Sequence, residues 1–249
     1  MSFRRRTGRA DRKAVPASAK QPKSLDSRPR LPATLEGRLV RLRPASRADY
    51  TLLFAWRSDG RWPSPFAARP DRTAPSGHPS QRAMSFEEWQ MTELKFVLQS
   101  GLFLIVDGPA NVGTIGFVQM NRLSDSDGWA YYREFFPGDL VRSWQALEAT
   151  GLFLDYLFHR YPIRKLYAEF LAFQETPLRK LQFAGFEEEM RLKDDTWYGD
   201  SYVDYVFLGL FREEWLQRRG EYLGQIAVED AMQHQERAPQ EVSPPPLQV

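Results

Sequence analysis

Three stretches of the sequence gather side chains that could do chemistry. In "WAYYREFF" (residues 129–136) the two-residue alternation of a strand puts Tyr132 and Glu134 on one face and Tyr131, Arg133 and Phe135 on the other. A phenol beside a carboxylate can pass a proton along the lining of a cleft, or the pair can simply pack within a sheet. In "PGDLVRSWQALEATGLFLDYLF" (residues 137–158) a strand exit runs into an amphipathic helix. The start of a helix carries unpaired N–H groups and attracts anions. Glycines at such a junction let the backbone wrap closely around a phosphate. Here Arg142, Ser143 and Trp144 stand there instead, and no glycine falls between Gly138 and the helix. The third stretch, residues 61–84, is a long Pro/Arg/Ser segment holding Arg61, Arg69, Arg72, His78 and Arg82 against the one acid Asp71.

Other chemistries are excluded or unsupported. The 249 residues contain no cysteine, which removes disulfides, thiolate metal sites and a cysteine nucleophile. His78, His159 and His234 fall on different elements at no metal-ligand spacing and read as surface or packing histidines, so no metal is expected. "DSD" (residues 125–127) reads as a hairpin turn, with an acidic rim that attracts an amine as the alternative. No apolar run approaches the ~20 residues of a membrane span, and the start lacks a signal-peptide core. A soluble, cytoplasmic protein away from membranes is the expectation.

The elements that must position these residues can be read from periodicity and caps. Residues 1–30 hold ten Lys/Arg against Asp11 and Asp26, a balance of +8, so the other 219 residues carry −6 of the net +2. Residues 1–33 are expected to be a disordered basic leader, 34–237 one folded domain, and the proline-rich 238–249 a loose tail. The leader also suits contact with RNA or another polyanion. "RLVRLRPAS" predicts an arginine-rich edge strand, which leaves room for a homodimer. Ser46 and Asp49 predict a helix start, and Ser85 with Glu88 a capping box. Strands follow over 102–107, 112–121 and 129–136, then the helix to about His159 and a strand over 164–173. A short helix is predicted with Thr176 as cap, Pro177 at its first position and Gly185 at its end. A hairpin turns at Gly199, and a last helix is expected to break near Gly220. This order makes an α/β chain: a mixed sheet packed between helices.

That order, with "LEGRLVRLRPASRADY", "LDYLF", "AGF" and "DDTWYGDSYVDYVFLGLFREEW", resembles the GNAT superfamily of N-acetyltransferases over about residues 35–215. It is similar to the branch that acetylates ribosomal-protein amino termini and spermidine. The resemblance implies a GNAT-like fold with two splayed central strands and helices on both faces. It also implies an N-acyltransferase that moves an acyl group from acetyl-CoA, or another acyl-CoA, to an amine on a small molecule or a protein amino terminus. The pyrophosphate would lie on the start of the central helix, at Val141, Arg142, Ser143, Trp144 and Gln145, with Gln174 where the family carries an asparagine that contacts CoA. Glu169 sits where some members carry the base, and a surface or structural glutamate is its other reading. Tyr132 and Glu134 are further candidates for acid–base work. Arg69 and Arg72 of the long loop, and Trp197 and Tyr198 of the hairpin, fall where acceptor specificity is built. The loop's charge suits an acidic or phosphorylated acceptor.

The chain departs from the pattern on the donor side. Arg142 and Trp144 replace the small residues of the phosphate loop, and Leu181, which cannot donate a proton, stands in place of the acidic tyrosine. Trp144 would occupy the pyrophosphate's space unless it points outward, and Arg142 could bind phosphate as a side chain. The motif therefore reads as degenerate. Two alternatives follow: acyl transfer from aminoacyl-tRNA or an acyl carrier protein, and an inactive GNAT-like binding protein.

Overall fold

The computed structural model describes residues 34–58, 84–99, 101–198 and 201–237. The expected leader, the proline-rich tail, the Gly199 turn and residues 61–83 with Arg69 and Arg72 lie outside them. The described strands are β1 (Leu35–Glu36), β2 (Arg41–Pro44), β3 (Gly101–Asp107), β4 (Thr114–Ser124), β5 (Trp129–Phe135), β6 (Lys165–Leu171), β7 (Glu187–Tyr198) and β8 (Ser201–Phe211). The helices are α1 (Tyr50–Ser58), α2 (Phe86–Trp89), α3 (Lys95–Gln99), α4 (Trp144–Arg160), α5 (Glu175–Phe183) and α6 (Arg212–Arg237). A π-helical turn over Gln90–Leu94 joins α2 to α3.

The strands form one sheet in the order β1-β2-β3-β4-β5-β6-β8-β7. Every neighbouring pair is antiparallel except β5 with β6. The expected mixed sheet with helices on both faces is therefore present. Strand alternation divides the core. Leu102, Leu104, Val106, Val118 and Met120 point to the side of α4, α5 and α6. Phe103, Ile105 and Phe117 point the other way, onto Leu53 and Trp56 of α1, Trp89 of α2 and Leu94 of the π turn. The central strands are thus apolar on both faces, which explains their near-continuous hydrophobic runs.

Two buried carboxylates fix the edges of this arrangement. Asp49 accepts from the Ser46 N–H and hydroxyl, and the Arg43 guanidinium forks onto its two oxygens at 2.8 and 2.7 Å. Arg43 also reaches Asp107 of β3 at 2.7 Å, so the arginine-rich strand clamps a helix start to a neighbouring strand. Glu148, on the buried side of α4, accepts the main-chain N–H groups of Arg38, Leu39 and Val40 at 2.9, 2.7 and 3.0 Å.

Four local expectations are corrected. β2 is not the outermost strand, because the two-residue β1 pairs beyond it. The central helix begins later than its hydrophobic pattern suggests: a 3₁₀ turn over Gly138–Arg142 precedes it, and Ser143 caps it, accepting from the Ala146 N–H at 3.1 Å. α5 begins at Glu175 with Gln174 as its cap residue, so Thr176 does not cap it and Pro177 lies at its third position. Proline is tolerated there because a first-turn N–H has no intrahelical partner to lose. α6 runs through Gly220 without a break. Each glycine costs a helix about 1 kcal/mol, but Trp215, Tyr222 and Ile226 bury against the α4 side of the core, and packing outweighs propensity.

Glu148→Ala strands three main-chain donors and should lower the stability of the fold by about 3 kcal/mol in urea titration, at an unchanged m value. Burial alone would raise the carboxyls of Asp49 and Asp107, but hydrogen bonds, from Arg43 above all, outweigh it and hold both below the usual range. Their contribution is complete above about pH 4 and is lost as pH falls through the lowered values. Asp49→Asn should therefore reduce stability at neutral pH and flatten its loss on acidification, measured by urea titrations across the acid range.

Candidate active site

β5 and β6 run side by side for three pairs only, Trp129 with Lys165, Ala130 with Leu166 and Tyr131 with Tyr167. Both strands continue, through residues 132–135 and 168–171, with no ladder between them. Beyond Tyr131 the edge of β5 facing β6 therefore offers main-chain groups to something other than β6.

On the α4 side of the parting, Glu134 is the centre of a buried network. Its Oε2 accepts from the Tyr132 hydroxyl at 2.6 Å, the Thr150 hydroxyl of α4 at 2.7 Å and the Lys180 ammonium of α5 at 2.7 Å. The Glu134 and Lys180 side chains are 2% and 4% exposed. Glu134 Oε1 is also buried and has no partner among the described residues. Burial, reinforced by the Glu134 charge, pushes the Tyr132 phenol well above its ordinary value. Burial pulls the Lys180 ammonium down, and the Glu134 carboxylate opposes that fall.

Lys180 also lines a cleft of about 460 Å³ between the start of α4 and α5. Val141, Trp144, Leu147 and Phe183 give its apolar walls, and Arg142, Thr176, Arg179 and Lys180 its polar ones, with Glu175 as the one acid. Glu175 pairs with Arg179 at 3.1 Å on the exposed side of α5. Arg142 donates to the Thr176 hydroxyl at 3.3 Å. Because Ser143 takes the Ala146 N–H and the Leu147 N–H bonds within the helix, the Trp144 and Gln145 N–H groups are the two without a partner among the described residues. Two open donors at a helix start, with Arg142, Arg179 and Lys180 beside them, suit an anion. Trp144 stands in the wall, packed against the α4-side core, and leaves this volume open. Gln174 takes no part in the cleft. Its Oε1 accepts from the Leu171 N–H at 2.8 Å and closes the turn between β6 and α5. Leu181 is wholly buried in the core.

Glu169 lies on the opposite face of the sheet. It accepts from the Tyr205 hydroxyl at 2.9 Å and from Arg122 at 3.2 Å, with Arg133 at 3.9 Å. The structure thus brings Tyr132 and Glu134 together and places Glu169 across the sheet from them. Trp197 and Tyr198 end β7, where Trp197 meets Tyr202 and the half-exposed Tyr198 meets Phe173 beyond β6. Among the described residues no His, Asp and Glu cluster could hold a metal, and no helix is long and apolar enough to cross a membrane.

Sequence reasoning missed Thr150 and Lys180. Thr150 had a signal: with Glu148 it is a polar residue on the buried stripe of Ala146, Ala149 and Phe153. Lys180 had none, because its partner is 46 residues away.

No family model and no curated protein matches the chain. Solved structures do. A GCN5-related N-acetyltransferase from Brucella melitensis is similar with a TM-score of 0.62 at 22% identity, over 82% of this chain and 89% of that one. The chain has the GCN5-related N-acetyltransferase fold. Spermidine N-acetyltransferase from Vibrio cholerae, solved with CoA and spermine, shares this fold at a TM-score of 0.58 and 16% identity, over 72% of this chain and 99% of that one. A GNAT-family acetyltransferase from Bacillus anthracis does so at 0.55 and 13%, over 73% and 99%.

Lys180→Met leaves the Glu134 carboxylate buried without its counter-charge and should cost about 3–5 kcal/mol. Replacing Glu134 by Met as well should recover most of that loss, since a buried pair and an apolar pair of like size differ little. A double-mutant cycle by urea denaturation reads both.

Proposed function

We propose that this chain is an N-acyltransferase that takes an acyl group from acyl-CoA, with acetyl-CoA as the default donor. The observation that carries the reading is the conjunction of parted β5 and β6 with a cationic cleft at the start of the next helix. An acylated pantetheine arm is long, thin and amide-bearing, and can pair as an extra strand with main-chain groups of residues 132–135. Its pyrophosphate suits the Trp144 and Gln145 N–H groups and the Arg142 and Arg179 guanidiniums. Arginine side chains here take over part of what glycine-bounded main-chain donors would supply.

In the reaction the acceptor nitrogen attacks the thioester carbonyl, the C–N bond forms, the C–S bond breaks, and the nitrogen gives up a proton. Main-chain N–H groups on the open edge of β5 can stabilise the developing oxyanion. Leu181 provides no proton to the departing sulfur. Lys180, in the cleft wall, offers positive charge in its place, and its lowered pKa favours proton release. Glu134 holds that ammonium, so Tyr132 and Glu134 act as its positioning partners rather than on the acceptor amine.

Acetyl-CoA should raise the melting temperature of the full chain, by an amount set by RT ln(1 + [L]/Kd), about 2.7 kcal/mol at a hundredfold excess over Kd. Arg142→Glu with Arg179→Glu should weaken this at least tenfold in Kd. No shift with acetyl-CoA would sink the reading. A salt-sensitive complex with aminoacyl-tRNA, or binding of an acylated carrier protein, would then favour those donors, and binding of neither an inactive module.

A further inference from the structure

On the α1–α3 side of the sheet, the start of α1 and the run from α2 through the π turn to α3 bound an open groove of about 650 Å³. Phe86, Gln90, Leu94 and Leu98 line it at four-residue spacing. In a straight α-helix each such step turns the side chain about 40° further round, so the stripe would wind off one face. The π turn over Gln90–Leu94 is wider and takes up that drift. Leu94 is buried, and Phe86 and Leu98 pack on the same core cluster, so the apolar floor is continuous with the core. The walls are pinned to one another. Arg57 of α1 forks onto Glu93 of the π turn at 2.6 and 2.7 Å, and the Phe54 ring packs on Phe86 and Trp89.

The rims of this groove are cationic. Arg47 stands on the α1 side and Lys95 on the α3 side, both exposed. Neither has an ion-pair partner among the described residues. The acids nearest to them in the chain are occupied, Asp49 by Arg43 and Glu93 by Arg57. No carboxylate is among the lining residues, and the Tyr50 hydroxyl and the Gln99 amide add neutral donors. A pinned apolar floor under two uncompensated cations is matched by a ligand with an apolar body and one negative charge.

We infer that this groove binds a small organic anion of that kind, a medium-chain carboxylate. Its head lies by Arg47 and Lys95, and its chain runs over Leu94 and Leu98. A polyamine is disfavoured, because its charges would meet Arg47 and Lys95 with no carboxylate in the lining to receive them. The inference does not rest on the acyl-transfer reading, since the groove shares no lining residue with the cleft at the start of α4.

The test is calorimetric titration of the full chain with octanoate, acetate and octylamine. Octanoate should bind with a Kd below about 1 mM. It should bind at least tenfold tighter than acetate, which lacks the chain, and than octylamine, which reverses the charge. Arg47→Glu with Lys95→Glu should weaken octanoate at least tenfold at an unchanged melting temperature, which shows that the fold is intact. Arg142→Glu with Arg179→Glu should leave octanoate binding as it is. Acetate or octylamine binding as tightly as octanoate would overturn the inference. So would octanoate binding that survives the Arg47 and Lys95 changes, octanoate binding that is lost with those at Arg142 and Arg179, or no binding at millimolar octanoate. If acetyl-CoA gives no melting shift while octanoate behaves as expected, the acyl-transfer reading fails and this inference stands.

Discussion

The structure depends on one unfinished interaction, the parallel pairing of β5 with β6 that stops after Tyr131 and Tyr167. Unpaired strand edges inside a sheet are costly unless something replaces the missing partner. The network on Glu134 gives the parting a fixed lining. Donors from β5, from α4 and from α5 converge on a single carboxylate oxygen, so each element flanking the gap on that side is tied to the others. Buried charge of this kind adds little net stability over apolar packing, but it is intolerant of displacement. It ties α5 to β5 and to α4, and so fixes Lys180 in the wall of the cleft between α4 and α5.

The two faces of the parted strands carry different chemistry because alternation sorts their side chains. Tyr132 and Glu134 face α4, where they are sealed and meet Lys180. Tyr131 and Arg133 face the other way, with Tyr167 and Glu169 of β6. An extended ligand between the strands would touch the first set with one side and the second with the other. The buried side offers the Lys180 charge in the cleft wall, and the half-exposed side offers the mutually tilted rings of Trp129, Tyr131 and Tyr167. One strand thus carries a sealed, charged face and a half-exposed aromatic face on alternate residues.

Local chemistry was legible in the sequence where it depends on near neighbours. The β3 to β5 strands announce themselves by apolar runs between turn residues, and Gly185, at φ 103°, ends α5 as its position suggests. What could not be read depends on distant residues. Lys180 is buried because Glu134 receives it, and Arg122 is aimed by a bulge that no residue pattern marks. Gly220 illustrates the reverse error: its local preference to break a helix is genuine, yet Trp215 and Tyr222 hold α6 against α4 on either side of it. From sequence, the start of α4 resembles a phosphate loop that has lost its glycines. Its geometry also reflects Ser143, whose capping oxygen removes one main-chain donor from the set.

That cap bears on how the cleft can hold a phosphate. Main-chain N–H groups are fixed and cost no side-chain ordering when they bind, whereas arginines are mobile and must be ordered. With two open N–H groups left, at Trp144 and Gln145, most of the positive charge resides on Arg142 and Arg179, both exposed. Exposed charges are screened by salt far more than buried dipoles are. Lys180 is the exception, since its ammonium is out of solvent and pinned by Glu134. The cleft therefore combines an outer, adaptable pair of cations with one inner, fixed cation, and under the acyl-CoA proposal the outer pair would meet the phosphates while the inner charge would lie deeper in the wall.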